Sequence, residues 1–502
     1  MKELLLGIDI GTSSCKAAVF KKNGEVAAAA NAGYQVSYPK PGYAEQNPDD
    51  WWKAVCKATK ECMEKGSVNP SDIAGIGVDG LSWAAVAVDR HGNVLANTPL
   101  WMDNRSAGIC EKVNREIGEE EIFRVSGNPL TAQYTTGKVL WYQENRPEVY
   151  QETHKILQSN SFIVYRLTGQ FSQDVCQSYG WHCFDMEHGV WDEGMRKAMG
   201  IPEEFLPEIS PCHAVVGTVT KKAAEECGLT EGIPVVAGAL DAACGTIGAG
   251  VLHNGETQEQ GGQAGGISIC IDTYKADPRL ILSHYVIPGS WILQGGTTGG
   301  GGVMRWMEQE FGDYERMIAG GLGKSSLVQF NEIAGRVAPG SDGVVFLPYM
   351  SGERTPIWDP DAKGVFYGLD FSKTKGHLVR AAMEGVAYSV RHNLEAAEEA
   401  GASVKVLRSM GGSANSLLWT QMKSDITGKP IQVPDSDTAT TLGAAILAGV
   451  GVGLYRDFEE AVDKTVTVKR VHEPNQEVKA AYDKGYEIYL ELYRNLRQTM
   501  KK

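Results

Sequence analysis

Three short apolar runs separated by tight turns open the chain and commit its first part to an antiparallel sheet. Leu4 to Ile8 leads into the turn-forming Asp9, Gly11, Thr12, Ser13 and Ser14, and a second run extends from Lys16 to Phe20. Asn23-Gly24, a pair that favours the positive φ angles of a hairpin turn, then introduces a third run from Glu25 to Ala30. A helical pattern over Trp51 to Lys65 and strands from Ile73 to Val78 and Ala85 to Val88 make the region mixed α/β.

At 502 residues the chain exceeds what one core supports, so two large α/β domains with a cleft between them are expected. The domain change belongs after the apolar strand Pro234 to Ala237, where Gly238, Asp241, Gly245, Gly248 and Gly250 crowd together, giving domains 1–248 and 249–502. Glycine-flanked strands over Gly261 to Ile271 and Trp291 to Gly302 repeat the outline of the opening and suggest a duplication. From His377 the apolar positions Leu378, Ala381, Ala382, Val386, Val390 and Leu394 recur at helical spacing. Tyr482, Tyr486, Tyr489 and Tyr493 form one stripe of a terminal helix that docks on a domain.

Formal charge is -14, with 48 basic and 62 acidic residues, which argues against nucleic acid or an anionic membrane as the main partner. No apolar run approaches the roughly 20 residues of a membrane-spanning helix. The ten cysteines show no C-x-x-C spacing and the N-terminus runs into a strand without a cleavable signal, so a soluble protein of the reducing cytoplasm is expected.

Four motifs carry chemistry. The turn Asp9-Ile10-Gly11-Thr12-Ser13-Ser14 can form a nest of N–H and hydroxyl donors for phosphate oxygens, with Asp9 holding Mg²⁺ and Lys16 adding charge; it can equally be an ordinary hairpin turn. Asp241, after an apolar strand and before small residues, can be the base that takes a proton from an attacking hydroxyl, or a helix N-cap, or both. Glycines at 261, 262, 265, 266, 295, 296 and 299–302, the last run before a helix at Met304, permit close approach to phosphate and would offer free helix N–H groups. Met410-Gly411-Gly412-Ser413-Ala414-Asn415 precedes a helical segment whose Trp419 and Met422 could form a flat lid for an adenine ring.

Together these pieces resemble the FGGY family of carbohydrate kinases essentially end to end. Gly364-Val365-Phe366-Tyr367-Gly368-Leu369, His377-Leu378 and Ala381-Ala382-Met383-Glu384 match its C-terminal signature, and Leu347 to Pro356 resembles the preceding segment of its xylulose kinases. The resemblance implies two actin-like (ribonuclease H-like) ATPase domains of α/β class flanking a deep catalytic cleft, sugar bound mainly by the first and nucleotide by the second. It implies ATP and Mg²⁺, a small sugar or polyol substrate such as the ketopentose D-xylulose phosphorylated to the 5-phosphate, and a homodimer. By the same resemblance Asp9 is the metal carboxylate, Asp241 the catalytic base, and Gly11, Thr12, Ser13 and Lys16 lie at the ATP phosphates. Gly262, Gln263 and Gly265 fall on the phosphate loop, Gly301 and Arg305 near the nucleotide, and Gly412 and Asn415 at the adenosine.

The chain departs from the family pattern at several points. Gln263 replaces the usual Thr, and its longer amide can still donate to a phosphate. Leu81-Ser82-Trp83 stands where xylulose kinases resemble Gln-Met-His; Trp83 can stack on a sugar or pack in the core. Asp103 and Arg105, in a Trp101-x-Asp-x-Arg segment, can bind hydroxyls with Ser82 and Trp83 or form a structural ion pair. Tyr134, Thr135, Lys138 and Trp141 keep part of the N-terminal signature, with Gly137 where Pro is frequent. Kinases for gluconate, ribulose, erythritol or glycerol, a non-sugar actin-like ATPase, and a binding protein that has lost catalysis are the alternatives.

Overall fold

The structure, a computed structural model, describes residues 3–323, 325–435 and 438–502. Two compact units emerge: residues up to 252, with 272–292 and 438–466, form the first, and 253–271, 293–435 and 467–502 form the second. The expected cut after residue 248 lies close to the first passage between units. A single cut does not describe the rest, because 438–466 return to the first unit.

The first sheet runs in the order Val215–Thr218, Pro234–Val236, Ile73–Gly80, Leu4–Ile10, Ser14–Phe20, Val26–Gly33. The three opening strands are antiparallel neighbours, as their turns dictate. Ile73–Gly80 lies parallel to Leu4–Ile10, and Pro234–Val236 and Ala239–Leu240 both pair parallel with Ile73–Gly80. Both central strands run beyond the apolar residues that mark them, to Ile10 and Gly80, because the ladder carries the polar Asp9 and Asp79 with it. Leu6, Ile8, Val19, Trp51, Val55, Ile76, Val78 and Phe162 form its core, each large apolar side chain contributing roughly 1.5–3 kcal/mol on burial.

Helix Ala439–Gly451 packs on this sheet and is buried nearly all round. The close approach needs Gly7 and Gly77, since a Cβ at either would collide with the carbonyl of Thr441 or Ala444.

In the second unit the order is Trp291–Thr297, Gly265–Ile271, Glu256–Gly261, Val406–Met410, Ile431–Pro434, Val468–His472. Glu256–Gly261 is antiparallel to Gly265–Ile271 and parallel to Val406–Met410, which is parallel to Ile431–Pro434, itself antiparallel to Val468–His472. From the first hairpin to the far edge this repeats the neighbours and directions of the first sheet, as a duplication predicts. The edge strand alone differs in route, preceding its neighbour in the first unit and following it in the second.

The C-terminal signature turns out to build structure. His377 Nδ1 accepts the Thr374 N–H at 3.0 Å and caps helix Lys375–Glu399. Inside that helix Arg380 donates to Glu384 at 2.7 Å, and the same carboxylate accepts Ser341 Oγ at 2.8 Å and Gly340 N at 3.0 Å. The tyrosine stripe of helix Lys479–Met500 docks as expected: the Tyr349 hydroxyl donates to that of Tyr489 at 2.7 Å, and Tyr493 donates to Asp359 at 2.8 Å. No helix among the described residues is long and apolar enough to cross a membrane.

Candidate active site

Parallel pairing in the first unit places Asp9 directly beside Asp79, and Asp79 beside Ala239, two residues before Asp241. In-register neighbours on adjacent strands project from one face, so the carboxyls of Asp9 and Asp79 meet. Lys16, opposite Asp9 on the next strand, reaches it at 3.2 Å from a largely exposed position. Asp9 and its own burial act in opposite senses on the Lys16 ammonium, and the carboxylate prevails, raising its pKa.

Asp79 is fully buried and no donor reaches either of its oxygens. Its contact with Asp9 is carboxyl against carboxyl, which bonds only with a proton between them; burial first, then the charges of Asp9 and Asp241, raise its pKa well above the carboxylate range. Asp79 is the residue that sequence reasoning missed. The signal was present: an apolar strand, an aspartate and a small turn occur in Ile8-Asp9-Ile10-Gly11, again in Val78-Asp79-Gly80, and again in Leu240-Asp241.

Asp241 is half-buried and is the first residue of helix Asp241–Gly248, one place beyond the N-cap Leu240. The N-cap reading is therefore displaced by one residue. Its Oδ1 accepts the Ala242 N–H at 2.7 Å. Burial, then the charge of Asp9, raises the Asp241 pKa to about 7, where a base takes and releases protons readily.

The nest is held from outside. Gly11 N donates to Ser14 O at 3.1 Å, the Tyr34 hydroxyl donates to Gly11 O at 2.5 Å, and Trp101 Nε1 donates to Thr12 Oγ1 at 3.1 Å. Ser13 stays exposed at its tip.

Beyond Gly80 the chain turns sharply. Trp83 adopts φ 61°, a left-handed conformation that a bulky residue holds only when its surroundings enforce it. They do: the buried Lys138 donates to the Trp83 carbonyl at 2.6 Å, and the indole lies 4.4 Å from the Tyr134 ring and 5.5 Å from Tyr179. Burial holds the Tyr179 hydroxyl well above its ordinary pKa, Ser82 lowers it and the charge of Asp241 raises it, so this aromatic wall lies within electrostatic reach of Asp241. Trp83 Nε1 is buried without an acceptor. Gln177 supports the turn by donating to the carbonyls of Gly80 and Leu81 at 3.0 and 3.2 Å.

Asp103 and Arg105 form the ion pair that was the second reading. Asp103 accepts Ala44 N at 2.6 Å and Arg105 Nε and Nη2 at 2.9 and 2.8 Å, while Arg105 also reaches Glu45 at 2.7 Å. The guanidinium lies 4.2 Å from the Tyr43 ring and 4.9 Å from Trp141, stacked as arginine prefers. These polar atoms are spent on the loop.

In the second unit Gly262, Gln263 and Ala264 form the turn between strands Glu256–Gly261 and Gly265–Ile271. This turn folds back on helix Gly301–Phe311: Gly301 N donates to Gly262 O at 2.7 Å and Gly302 N to Gln263 O at 3.0 Å. The free donors expected at that helix start are used within the loop, leaving Gln263 and Arg305 exposed beside it. Gly411, at φ 82°, begins the turn that carries exposed Gly412 and Asn415. Beneath lies a buried ion pair, Lys423 donating to Glu259 at 2.6 Å and to Ser413 Oγ at 2.8 Å. Trp419 is not a lid. It is 4% exposed and donates its indole N–H to Met383 O at 2.9 Å, because its helix turns that face onto Lys375–Glu399.

The model of the FGGY family of carbohydrate kinases matches this chain over residues 4–248 for its N-terminal domain and 268–452 for its C-terminal domain. Xylulose kinase of Staphylococcus epidermidis is 30% identical over 99% of this chain and 98% of its own. Gluconokinase of Bacillus licheniformis is 31% identical over 99% and 96%. The crystal structure of xylulose kinase from Rhodospirillum rubrum superposes with a TM-score of 0.90 at 29% identity, covering 99% of this chain and 100% of that one. A repeated α/β unit with crowded aspartates in one half and glycine turns in the other thus belongs to the sugar-kinase class of phosphotransferases. The chain belongs to the FGGY family of carbohydrate kinases.

Proposed function

We propose that this carbohydrate kinase transfers the γ-phosphoryl group of ATP to a hydroxyl of a neutral ketopentose of the D-xylulose type, giving the 5-phosphate. The observation that carries the reading is Asp241, a half-buried carboxylate raised to about 7 at the edge of an aromatic wall. In that position Asp241 accepts the proton of the attacking hydroxyl, a contribution of about 10²–10⁴ in rate. Ser82 and Trp83 meet the sugar, and Asp103 and Arg105 act on it through the loop they brace.

A gluconate-type acid is the second reading, favoured by the gluconokinase relative. The engagement of the cations weighs against it: Lys138 is committed to Trp83 O and Arg105 to Asp103 and Glu45. A substrate carboxylate at this wall would lack a counter-charge.

Within the first unit the nest at Gly11, Thr12, Ser13 and Lys16 suits ATP phosphates; within the second, taken by itself, the turn at Gly262, Gln263 and Gly265 suits phosphate, and Gly301, Arg305, Gly412 and Asn415 suit the rest of the nucleotide. Mg²⁺ fits the first unit, because a hard cation suits all-oxygen donors and the buried oxygens of Asp79 beside Asp9 lack any partner. Asp9 would hold it, and when bound it neutralises phosphate charge. Ten free thiols fit a cytoplasmic setting, and a homodimer is the assembly that the family resemblance suggests.

The test is ATP consumption with Mg²⁺ against ketopentoses, tetritols, glycerol, hexonates and deoxy sugars, with Asp241→Ala in parallel. Turnover that requires a ketopentose, and falls at least about 10²-fold in the variant with ATP binding kept, supports the reading. ATP hydrolysis indifferent to every sugar would replace it with an actin-like ATPase.

A further inference from the structure

We infer that Asp79 is a second carboxylate for the divalent cation, acting with Asp9; this rests on the metal reading above. Three observations converge. Asp79 lies in register with Asp9 on the neighbouring parallel strand, with its side chain on the same face. Both of its oxygens are buried without a hydrogen bond, and among the described residues no other aspartate or glutamate has a buried oxygen left so. The positive charge at hand, Lys16, is bonded to Asp9 and is largely exposed.

Other buried carboxylates show what a structural acid looks like in this chain. Asp174 accepts from Asn160 and Gln177, and Glu353 from Thr297, Thr298 and Arg354. Asp79 has no such set, so packing gives no reason for a carboxyl where a serine or asparagine would fit the strand. A cation that keeps most of its water and takes one or two protein carboxylates supplies the missing partner. Two in-register aspartates offer that number, which leaves Asp241 free to act as the base.

The experiment measures Mn²⁺ bound to the full chain by electron paramagnetic resonance, with and without a non-hydrolysable ATP analogue, for wild type, Asp9→Asn, Asp79→Asn and Asp79→Ser. Asp79→Asn is isosteric and replaces the carboxyl-against-carboxyl contact with an amide that can donate to Asp9, so its melting temperature without metal should equal or exceed that of wild type. Asp79→Ser provides a second, smaller replacement should the amide disturb the strand. The expected result is a loss of Mn²⁺ affinity of about tenfold or more in all three variants, with analogue binding in chelator unchanged. Loss in Asp9→Asn alone would overturn the role of Asp79 while sparing that of Asp9. No loss in any variant would overturn both, and the metal reading of the first unit with them.

Discussion

The first strands of the two sheets end in opposite ways. In the first unit the penultimate residue Asp9 faces Lys16 and Asp79; in the second, the penultimate residue Gln260 faces Gly266 and Met410. One residue earlier the chemistry is exchanged: Ile8 pairs with Val78, whereas Glu259 pairs with Ser409. The second unit turns its acid inward and satisfies it with Lys423, making a strut under the glycine turns. In the first unit Asp9 keeps the largely exposed Lys16, and Asp79 beside it has no donor. A buried charge that is fully paired holds a fold, while one left short of partners marks a site.

Breaking the strut is the largest test of that contrast. Lys423→Met leaves Glu259 buried without its cation and should destabilise the second unit by about 3–5 kcal/mol, read by denaturant unfolding. Adding Glu259→Gln should recover most of the loss, since the uncompensated charge is then gone. If Lys423→Met costs no more than a surface change, the strut is not structural and the contrast between the strand ends collapses.

The pH profile probes the other end. Burial first, then the charge of Asp9, raise Asp241 to about 7 against the opposing pull of the Ala242 N–H and of Lys16. The base must be ionised to accept a proton, so kcat/KM should fall about tenfold per pH unit below 7 and level off above it. Asp9→Asn removes a like charge and should shift that limb to lower pH. A limb that stays in place would mean that burial alone sets it.

How much of this was legible beforehand follows from distance along the chain. Asp9, Asp241 and the glycine turns stood out because a strand, a turn and a small residue are local patterns. Asp79 did not, because the apolar run ends at Val78 and only pairing with a strand some 70 residues away gives its carboxyl a neighbour. The ion pair of Arg105 with Glu45 and the return of Ala439–Gly451 to Gly7 and Gly77 are likewise long-range facts. Trp419 misled for the reverse reason: an aromatic beside a glycine turn looks like a ligand platform until the helix face that carries it is known.

Trp83 offers the smallest and sharpest test, because it too is a buried group short of a partner, yet it is neutral. Its backbone is fixed by Lys138 and its ring by Tyr134 and Tyr179, so Trp83→Phe keeps an aromatic in the same frame and removes the indole N–H. If that N–H serves a substrate hydroxyl, one neutral hydrogen bond of about 1 kcal/mol is lost, and KM for the sugar should rise roughly fivefold with kcat kept. KM for ATP should not move, which separates this effect from a general loosening of the fold. An unchanged sugar KM with a lower melting temperature would make Trp83 a packing residue, and the rule drawn from the carboxylates would then hold for charges but not for neutral donors.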